Sequence, residues 1–267
     1  MDRFRTALQF HKNQQNDREG RSAVRPQGAR PQAGLLTSAP PSPLDPIVYT
    51  RTRSLEVSLS VLREQRVMTA YDKGPFVDAF KILRTQVMHR LREHGWNVLG
   101  VTSPDKGEGK SLTAVNLAVS LAMETTQTVL LVDANLMRPA VHEFFGLDDD
   151  CPGLTDYLLD DDPFEDLLLN PGIDRFLILP GGRPVSNSIE LLTSPKMVTL
   201  VQEMKHRYRS RIVIFDLPPL LHTADVLAFS PYTDALLLVV EEGKTTAEEV
   251  QRALSLVTKS HPLLGTV

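Results

Sequence analysis

Residues 97–122 read NVLGVTSPDKGEGKSLTAVNLAVSLA, and this segment is the most informative about the fold. It begins with an apolar run, continues into a loop with two glycines and ends in a segment of helical character. A phosphate group needs several converging backbone N–H donors. Glycine permits the torsions and the close approach this requires, and the amino end of the next helix adds a favourable dipole. The order strand, loop, helix therefore predicts a phosphate-binding loop over residues 103–111.

The residue types in this loop indicate which part of a nucleotide they bind. Lys110 places a cation against the β- and γ-phosphates, and the Ser111 hydroxyl can enter a magnesium shell. Pro104 replaces the first glycine of the usual G-x-x-x-x-G-K-[S/T] pattern, so a plain structural turn is the alternative that the flanking strand and helix disfavour. The residues predicted to contact ATP are Asp105, Lys106, Gly107, Glu108, Gly109, Lys110, Ser111 and Leu112.

Two further apolar runs each end in an aspartate. They are TVLLVD, ending at Asp133, and IVIFD, ending at Asp216. An isolated aspartate at a strand end most often caps the next helix. Two of them downstream of the phosphate loop, at the edge where that loop must lie, instead predict a magnesium site formed with Ser111, because a hard divalent cation prefers oxygen ligands.

The apolar runs alternate with segments of helical spacing, and the runs are continuously apolar, as in buried parallel strands. This order predicts an α/β fold with a doubly wound, mostly parallel sheet and a ligand site beyond the carboxyl ends of the strands. Strands are predicted near 97–102, 128–132, 176–179, 211–215, 234–240 and 263–267. Helices are predicted near 110–123, 138–145, 153–159, 195–207, 223–229 and 245–259.

Composition divides the chain into four parts. Residues 1–15 can form a short amphipathic helix, and residues 16–50 are rich in Pro, Gly, Gln and Ser with few large apolar residues, which predicts a disordered linker. Residues 51–95 form a helical lead-in, with helices over 55–66 and 76–92. Residues 96–267 form the P-loop domain.

Composition also restricts location and partners. A single cysteine provides no disulfide framework and indicates a reducing compartment, so a cytoplasmic location is expected. No apolar run approaches the length of a signal peptide core or a membrane span, so any membrane role must come through a partner. The part of the chain after residue 70 is acidic and lacks an aromatic–basic patch, which argues against nucleic-acid binding.

Five blocks carry more specific patterns. In chain order they are DAFKILRT (78–85), VTSPDKGEGKS (101–111), VLLVDANLMRPAVHEFFGL (129–147), LPGGRPVSNSIELLTSPKM (179–197) and IFDLPPLLHTAD (214–225). Together they resemble the bacterial tyrosine kinases, which belong to the ParA/MinD-like branch of P-loop NTPases and are encoded with capsule and exopolysaccharide machinery. The resemblance covers about residues 76–267, and the subgroup it suggests is the tyrosine autokinases of exosortase-linked exopolysaccharide loci.

The resemblance implies transfer of the ATP γ-phosphate to tyrosine in the regulation of polysaccharide biosynthesis and export. By motif, Lys110 holds the phosphates, Ser111 and Asp216 hold magnesium, and Asp133 orients or deprotonates the acceptor tyrosine. Asn135 and Arg138 are expected beside the nucleotide. The resemblance also implies self-association through a helix carrying Asp78, Lys81 and Arg84. Its expected partner is a membrane chain-length determinant, or polysaccharide co-polymerase, that recruits the chain to the inner face of the plasma membrane.

The sequence departs from the family pattern at two places. In the motif D-x-D-x-R, Asn135 replaces the second aspartate and Met137 the arginine, with Arg138 next in line. The family's terminal tyrosine cluster has no counterpart in a chain that stops at Val267, so phosphorylation of a tail is not expected. An alternative function therefore stays open, in which the protein is an ATPase switch of the ParA/MinD type that controls a membrane co-polymerase without phosphorylating tyrosine. Asp105 stands where those ATPases carry a signature lysine, which favours the kinase.

Overall fold

The computed structural model of the protein describes residues 52–123, 127–207, 211–257 and 261–267. Its strands are β1 (Arg53–Ser54), β2 (Val98–Thr102), β3 (Thr128–Asp133), β4 (Leu169–Asn170), β5 (Phe176–Leu179), β6 (Arg211–Asp216), β7 (Ala235–Leu238) and β8 (Leu263–Thr266). Its α-helices are α1 (Leu59–Glu64), α2 (Pro75–His94), α3 (Lys110–Ala122), α4 (Leu154–Asp160), α5 (Phe164–Leu167), α6 (Ser188–Leu192), α7 (Pro195–Arg207), α8 (Asp225–Phe229) and α9 (Ala247–Val257). Two short 3₁₀ helices span His142–Phe145 and Ser230–Tyr232.

The strands described here form one sheet in the order β1-β4-β5-β3-β6-β2-β7-β8. All neighbours run parallel except β4 and β5. The central strands β3, β6 and β2 are almost entirely buried because helices cover both faces of the sheet. The predicted α/β fold with a mostly parallel sheet is confirmed.

Alternating side chains of β3 show how the two faces are packed. Val129 and Leu131 belong to one apolar cluster together with α2 and α3, whereas Leu130 and Val132 belong to the other together with α7 and α8. Successive side chains of a strand point to opposite faces of the sheet, so a continuously apolar strand requires a helix layer on each side. These layers fix the carboxyl ends of β2, β3 and β6 along one edge.

The six predicted strands are all present within a few residues of their predicted bounds. The sequence missed β1, β4, α5 and α6, which have two to five residues each and too little periodicity to detect. The helix predicted over 138–145 is wrong, because only the 3₁₀ turn His142–Phe145 forms. Pro139 lacks an N–H, and the N–H groups of Ala140 and Val141 donate to the Asp133 carboxylate instead of to a helix.

The predicted helix over 1–15 and linker over 16–50 lie outside the described residues. The lead-in contains α1 and α2, as expected for 51–95, and it also adds β1 to the edge of the sheet through the pairing of Arg53 with Leu169. In the described part of the chain, no helix combines the length and apolar character needed to cross a membrane.

Candidate active site

The phosphate loop connects β2 to α3. Gly107 and Gly109 have φ angles of 74° and 80°, a left-handed conformation that other residues adopt only with strain. Gly109 caps the amino end of α3, and its carbonyl oxygen accepts the N–H of Thr113 at 2.8 Å. The loop therefore lies at the amino end of a buried helix, whose backbone N–H groups and dipole favour an anion there.

Lys110, Ser111 and Asp216 form one hydrogen-bonded group at the start of α3. The Lys110 ammonium lies 3.2 Å from Oδ1 of Asp216 and 2.9 Å from the Ser111 hydroxyl oxygen, and that hydroxyl donates to Oδ2 of Asp216 at 2.6 Å. Asp216 is fully buried, and the Lys110 side chain is 12% exposed. The ammonium neutralises the buried carboxylate.

Asp133 pairs with Asp216 across β3 and β6. Its carboxylate accepts the N–H of Asn135 at 3.1 Å, of Ala140 at 2.7 Å and of Val141 at 2.9 Å. Asp133 therefore does bind the backbone that follows it, much as a capping residue would. Burial and the neighbouring Asp216 charge raise its pKa to about 7, against the lowering effect of the backbone donors and Lys110. A carboxyl group of such pKa suits proton transfer at neutral pH.

A cavity of about 520 Å³ lies over the phosphate loop. Eight of the residues predicted to contact the nucleotide line it, namely Lys106, Gly107, Gly109, Lys110, Ser111, Leu112, Asn135 and Arg138. The sequence did not assign Met137, Phe144, Pro218, Pro219, His222 and Thr223 to the site, although they also line the cavity. Asp133 and Asp216 are fully buried and do not line the cavity, and Gly181 and Pro139 pack close to each other beside Asp133.

Asp105 and Glu108, also predicted to contact the nucleotide, are not among the residues that line the cavity, and their side chains make hydrogen bonds that shape the loop. Glu108, which is buried, accepts the N–H of Asp105 at 3.1 Å and the hydroxyl of Thr245. Asp105 accepts the N–H of Lys106 at 2.6 Å and contacts the His222 ring, and these two partners, in that order, lower its pKa. The His222 and Thr245 contacts join residues more than 100 positions apart, and neither side chain has an assigned role in the motifs, so these two loop supports were not predictable.

The Thr245 contact should matter for nucleotide binding. We expect Thr245→Val to raise the KM for ATP about tenfold with a smaller change in kcat, because a buried carboxylate that loses a partner costs about 1–3 kcal/mol and Glu108 would then shift the loop. Thr246→Val is the matched control, since Thr246 only caps α9 through Glu249. Steady-state kinetics at varied ATP distinguish the two, and equal KM values for both variants would contradict this role of Thr245.

The oxygen donors at the site fit magnesium. The described residues contain no group of three or more His, Cys, Asp or Glu side chains that could hold a metal. Mg²⁺ typically takes one or two carboxylates and keeps waters and substrate phosphates as its other ligands. The Ser111 hydroxyl and the Asp216 carboxylate, in contact at 2.6 Å, provide two protein ligands of this kind. Asp133 is the residue paired with Asp216 on the neighbouring strand.

The raised pKa of Asp133 predicts how stability depends on pH. The folded protein holds a proton up to about pH 7 that the unfolded chain releases near its ordinary value of 3.8. The free energy of unfolding without nucleotide should therefore fall as the pH rises from about 5 to 7. Asp225, whose pKa burial also raises, adds to this slope, and His261, whose pKa burial lowers, opposes it. Asp105 and Glu249, with lowered pKa values, act only in more acid solution. Urea unfolding at several pH values should show a flatter slope for Asp133→Asn, and an unchanged slope would contradict the assignment.

The predicted self-association residues lie on α2 but differ in accessibility. Lys81 and Asp78 form an exposed ion pair at 3.2 Å. Arg84 turns inward and donates to the carbonyl oxygen of Ser120 on α3 at 3.0 Å. Asp78 and Lys81 are thus available on the surface, and Arg84 also holds α2 against the phosphate-loop helix.

The chain is similar in sequence to curated tyrosine-protein kinases of bacteria. No protein-family model matches the chain. Tyrosine-protein kinase YwqD of Bacillus subtilis is 35% identical over 191 residues, which is 71% of this chain and 79% of YwqD. Tyrosine-protein kinase ptk of Acinetobacter johnsonii is 29% identical over 179 residues, 67% of this chain, and the match spans only 24% of ptk.

Solved structures agree with these relatives. The chimerical protein CapA2B2 superposes with a TM-score of 0.69 at 28% identity, covering 80% of this chain and 91% of that chain. The kinase domain of Escherichia coli tyrosine kinase ETK superposes with a TM-score of 0.66 at 26% identity, covering 80% of this chain and 87% of that domain. The cell division ATPase MinD of Pyrococcus furiosus superposes with a TM-score of 0.54 at 22% identity, covering 64% of this chain and 70% of MinD, and so shares the fold.

The resemblance seen in the sequence blocks is therefore confirmed by independent matches over most of the P-loop domain. The phosphate loop, the two strand-end aspartates and the cavity above them occupy one edge of the sheet. With 35% identity over 79% of YwqD, this chain belongs to the bacterial tyrosine kinase family.

Proposed function

We propose that the protein transfers the γ-phosphoryl group of ATP to a tyrosine hydroxyl. The observation that carries the proposal is the meeting of Lys110, Ser111 and Asp216 beside Asp133, beneath a cavity lined by the phosphate loop. Phosphoryl transfer needs alignment and charge neutralisation more than covalent help, and this arrangement supplies both. Family membership supports the same reaction.

Each residue has a distinct part in the proposed mechanism. The loop N–H groups and Lys110 bind the β- and γ-phosphates. Ser111 and Asp216 would hold magnesium, which would supply neutralisation of the phosphate charge. Asp133, with its pKa near neutrality, accepts the phenol proton.

Asn135 and Arg138 lie where the chain departs from the family motif D-x-D-x-R, and each can replace part of what the motif residues would do. Asn135 is buried in the cavity wall, where its amide can accept a hydrogen bond but cannot act as a base. Arg138 lies in the same wall with an exposed side chain. We assign to Arg138 the second cation beside the phosphates, in the place of the arginine that Met137 replaces.

The second candidate is an ATP-dependent switch that does not phosphorylate tyrosine. One observation favours it. Asp133 is fully buried and does not line the cavity, so the segment around Pro139, which packs beside it, must shift before a phenol can reach its carboxylate. A switch needs only nucleotide-dependent rearrangement of this segment, without an acceptor.

One experiment separates the two candidates. The protein is incubated with ATP, Mg²⁺ and a tyrosine-containing copolymer, and ADP and phosphotyrosine are measured together. We expect both products to rise. ADP without phosphotyrosine would support the switch, and no ADP at all would overturn both candidates.

The biological setting is part of the same proposal. We infer a role in exopolysaccharide or capsule biosynthesis and export, a cytoplasmic location, and recruitment to the plasma membrane by a chain-length determinant. The family resemblance supports these inferences, and the exposure of Asp78 and Lys81 on α2 supports self-association through them. The cytoplasmic part of a chain-length protein, added to the same assay, should increase the rate of phosphotyrosine formation.

A further inference from the structure

A tight turn over Thr69–Asp72 displays one tyrosine. The N–H of Asp72 donates to the Thr69 carbonyl oxygen at 3.2 Å, and Oδ2 of Asp72 accepts the Thr69 N–H at 2.7 Å and the Thr69 hydroxyl at 2.9 Å. The three bonds close the turn with Ala70 and Tyr71 at its centre. Tyr71 is 83% exposed, so the turn holds a phenol ring out in solvent.

The residues just before this turn are hydrogen-bonded to α3, the helix that follows the phosphate loop. Asn116, fully buried on α3, accepts the N–H of Met68 at 2.8 Å and donates to the carbonyl oxygens of Arg66 and Leu112, each at 3.0 Å. Replacing such a buried amide would leave several polar groups without partners. The turn is therefore a rigid projection from the body of the domain.

The other described tyrosines are packed. The ring of Tyr157 lies 4.6 Å from the Lys196 ammonium and edge-on to Phe164, and burial raises the pKa of its phenol. The ring of Tyr232 packs against Phe229 at 5.8 Å. Tyr49 and Tyr208 lie outside the described residues. Among the tyrosines that the structure describes, Tyr71 is the exposed one, whereas Tyr157 and Tyr232 are half-buried.

Tyr71 lies at the wrong end of α3 to enter its own active site. It borders a cavity together with Ala122 and Met123, at the carboxyl end of α3, whereas Lys110 is the first residue of that helix. Twelve residues of α-helix at 1.5 Å each separate the two ends by about 18 Å, far more than a tyrosine side chain spans. A fixed turn cannot cross that distance, so a phosphoryl group must come from another molecule.

We propose that Tyr71 is a phosphoryl acceptor, phosphorylated in the active site of a second copy of this chain; this rests on the proposed kinase function. In the step, the phenol oxygen of Tyr71 forms a bond to the γ-phosphorus, and the bond from that phosphorus to the bridging oxygen breaks. ADP leaves with the electron pair, and the phenol proton passes to the second copy's Asp133. The new group adds a charge of about −2 just before α2, the helix that carries Asp78 and Lys81.

Mass-spectrometric mapping after incubation of the full chain with ATP and Mg²⁺ tests the proposal. We expect phosphate on Tyr71 and loss of most incorporation in Tyr71→Phe, with unchanged phosphorylation of an added tyrosine copolymer. Tyr157→Phe, the matched control, should keep full incorporation. To test transfer between molecules, isotope-labelled Asp133→Asn is the acceptor and Tyr71→Phe the enzyme, and Tyr71 of the labelled chain should become phosphorylated.

Each contrary result has a distinct meaning. Phosphate found only on other tyrosines, or on the copolymer alone, overturns the assignment of Tyr71 and leaves the kinase function standing. Modification of Tyr71 in the unmutated protein but not in the labelled acceptor overturns transfer between copies. Absence of phosphate from both chain and copolymer overturns the proposed function itself.

Discussion

Lys110→Met is expected to reduce ATP affinity at least about 100-fold and to abolish turnover. Methionine keeps the length and apolar stem of lysine but removes the ammonium that we assign to the phosphates. Two charge-assisted contacts at about 1.5 kcal/mol each give this factor. The change also removes the partner of Asp216, which lies 3.2 Å away and is fully buried. Breaking a buried ion pair costs about 3–5 kcal/mol, so the variant should also unfold at a lower temperature near neutral pH.

Titration calorimetry with ATP and Mg²⁺ measures the affinity, and thermal unfolding shows whether the variant is folded under the same conditions. Lys106→Met is the matched control, because Lys106 also lines the cavity but its side chain is exposed. Its effect on affinity should stay below about tenfold, as expected of a solvent-screened charge. A folded Lys110→Met variant with normal ATP affinity would contradict the site.

Asp133→Asn is expected to remove phosphotyrosine formation while leaving ATP binding nearly unchanged. The loss of a general base lowers rates by about 10²–10⁴-fold. The amide oxygen can still accept the N–H groups of Ala140 and Val141, so the loop after β3 keeps its support. Only the N–H of Asn135, at 3.1 Å, would face an amide nitrogen. The variant therefore isolates the charge of Asp133 from its structural contacts.

Asp225→Asn is the control for this experiment. Asp225 is also a buried carboxylate with a pKa raised by burial, but it accepts the Ser188 hydroxyl at 2.7 Å and does not border the cavity. Its phosphotyrosine formation should stay within about threefold of the unmutated protein, as for a residue without a part in the proton transfer. Normal kinase activity in Asp133→Asn would contradict the role of Asp133 as the general base. Catalysis would then depend on another base or on the alignment of ATP and tyrosine alone.

The central strands and the phosphate loop were predictable because local sequence encodes them. An apolar run followed by glycines and GKS determines a strand, a left-handed turn and a helix start over fewer than thirty residues. The short edge elements β1 and β4 were not predictable, because two residues carry no periodicity and form strands only through pairing with neighbours. The 3₁₀ turn at His142–Phe145 shows tertiary contacts overriding helical spacing.

The fold class, the phosphate loop and the two strand-end aspartates could be inferred from residue order, since each depends on residue types within one element and its immediate neighbours. The tertiary structure alone decided which groups support them: Thr245 on Glu108, His222 on Asp105, and the burial that raises the pKa of Asp133. It also separated Tyr71 from Lys110 along α3. Contacts between residues more than 100 positions apart, and the exclusion of water around a carboxylate, arise only when the helices close over both faces of the sheet.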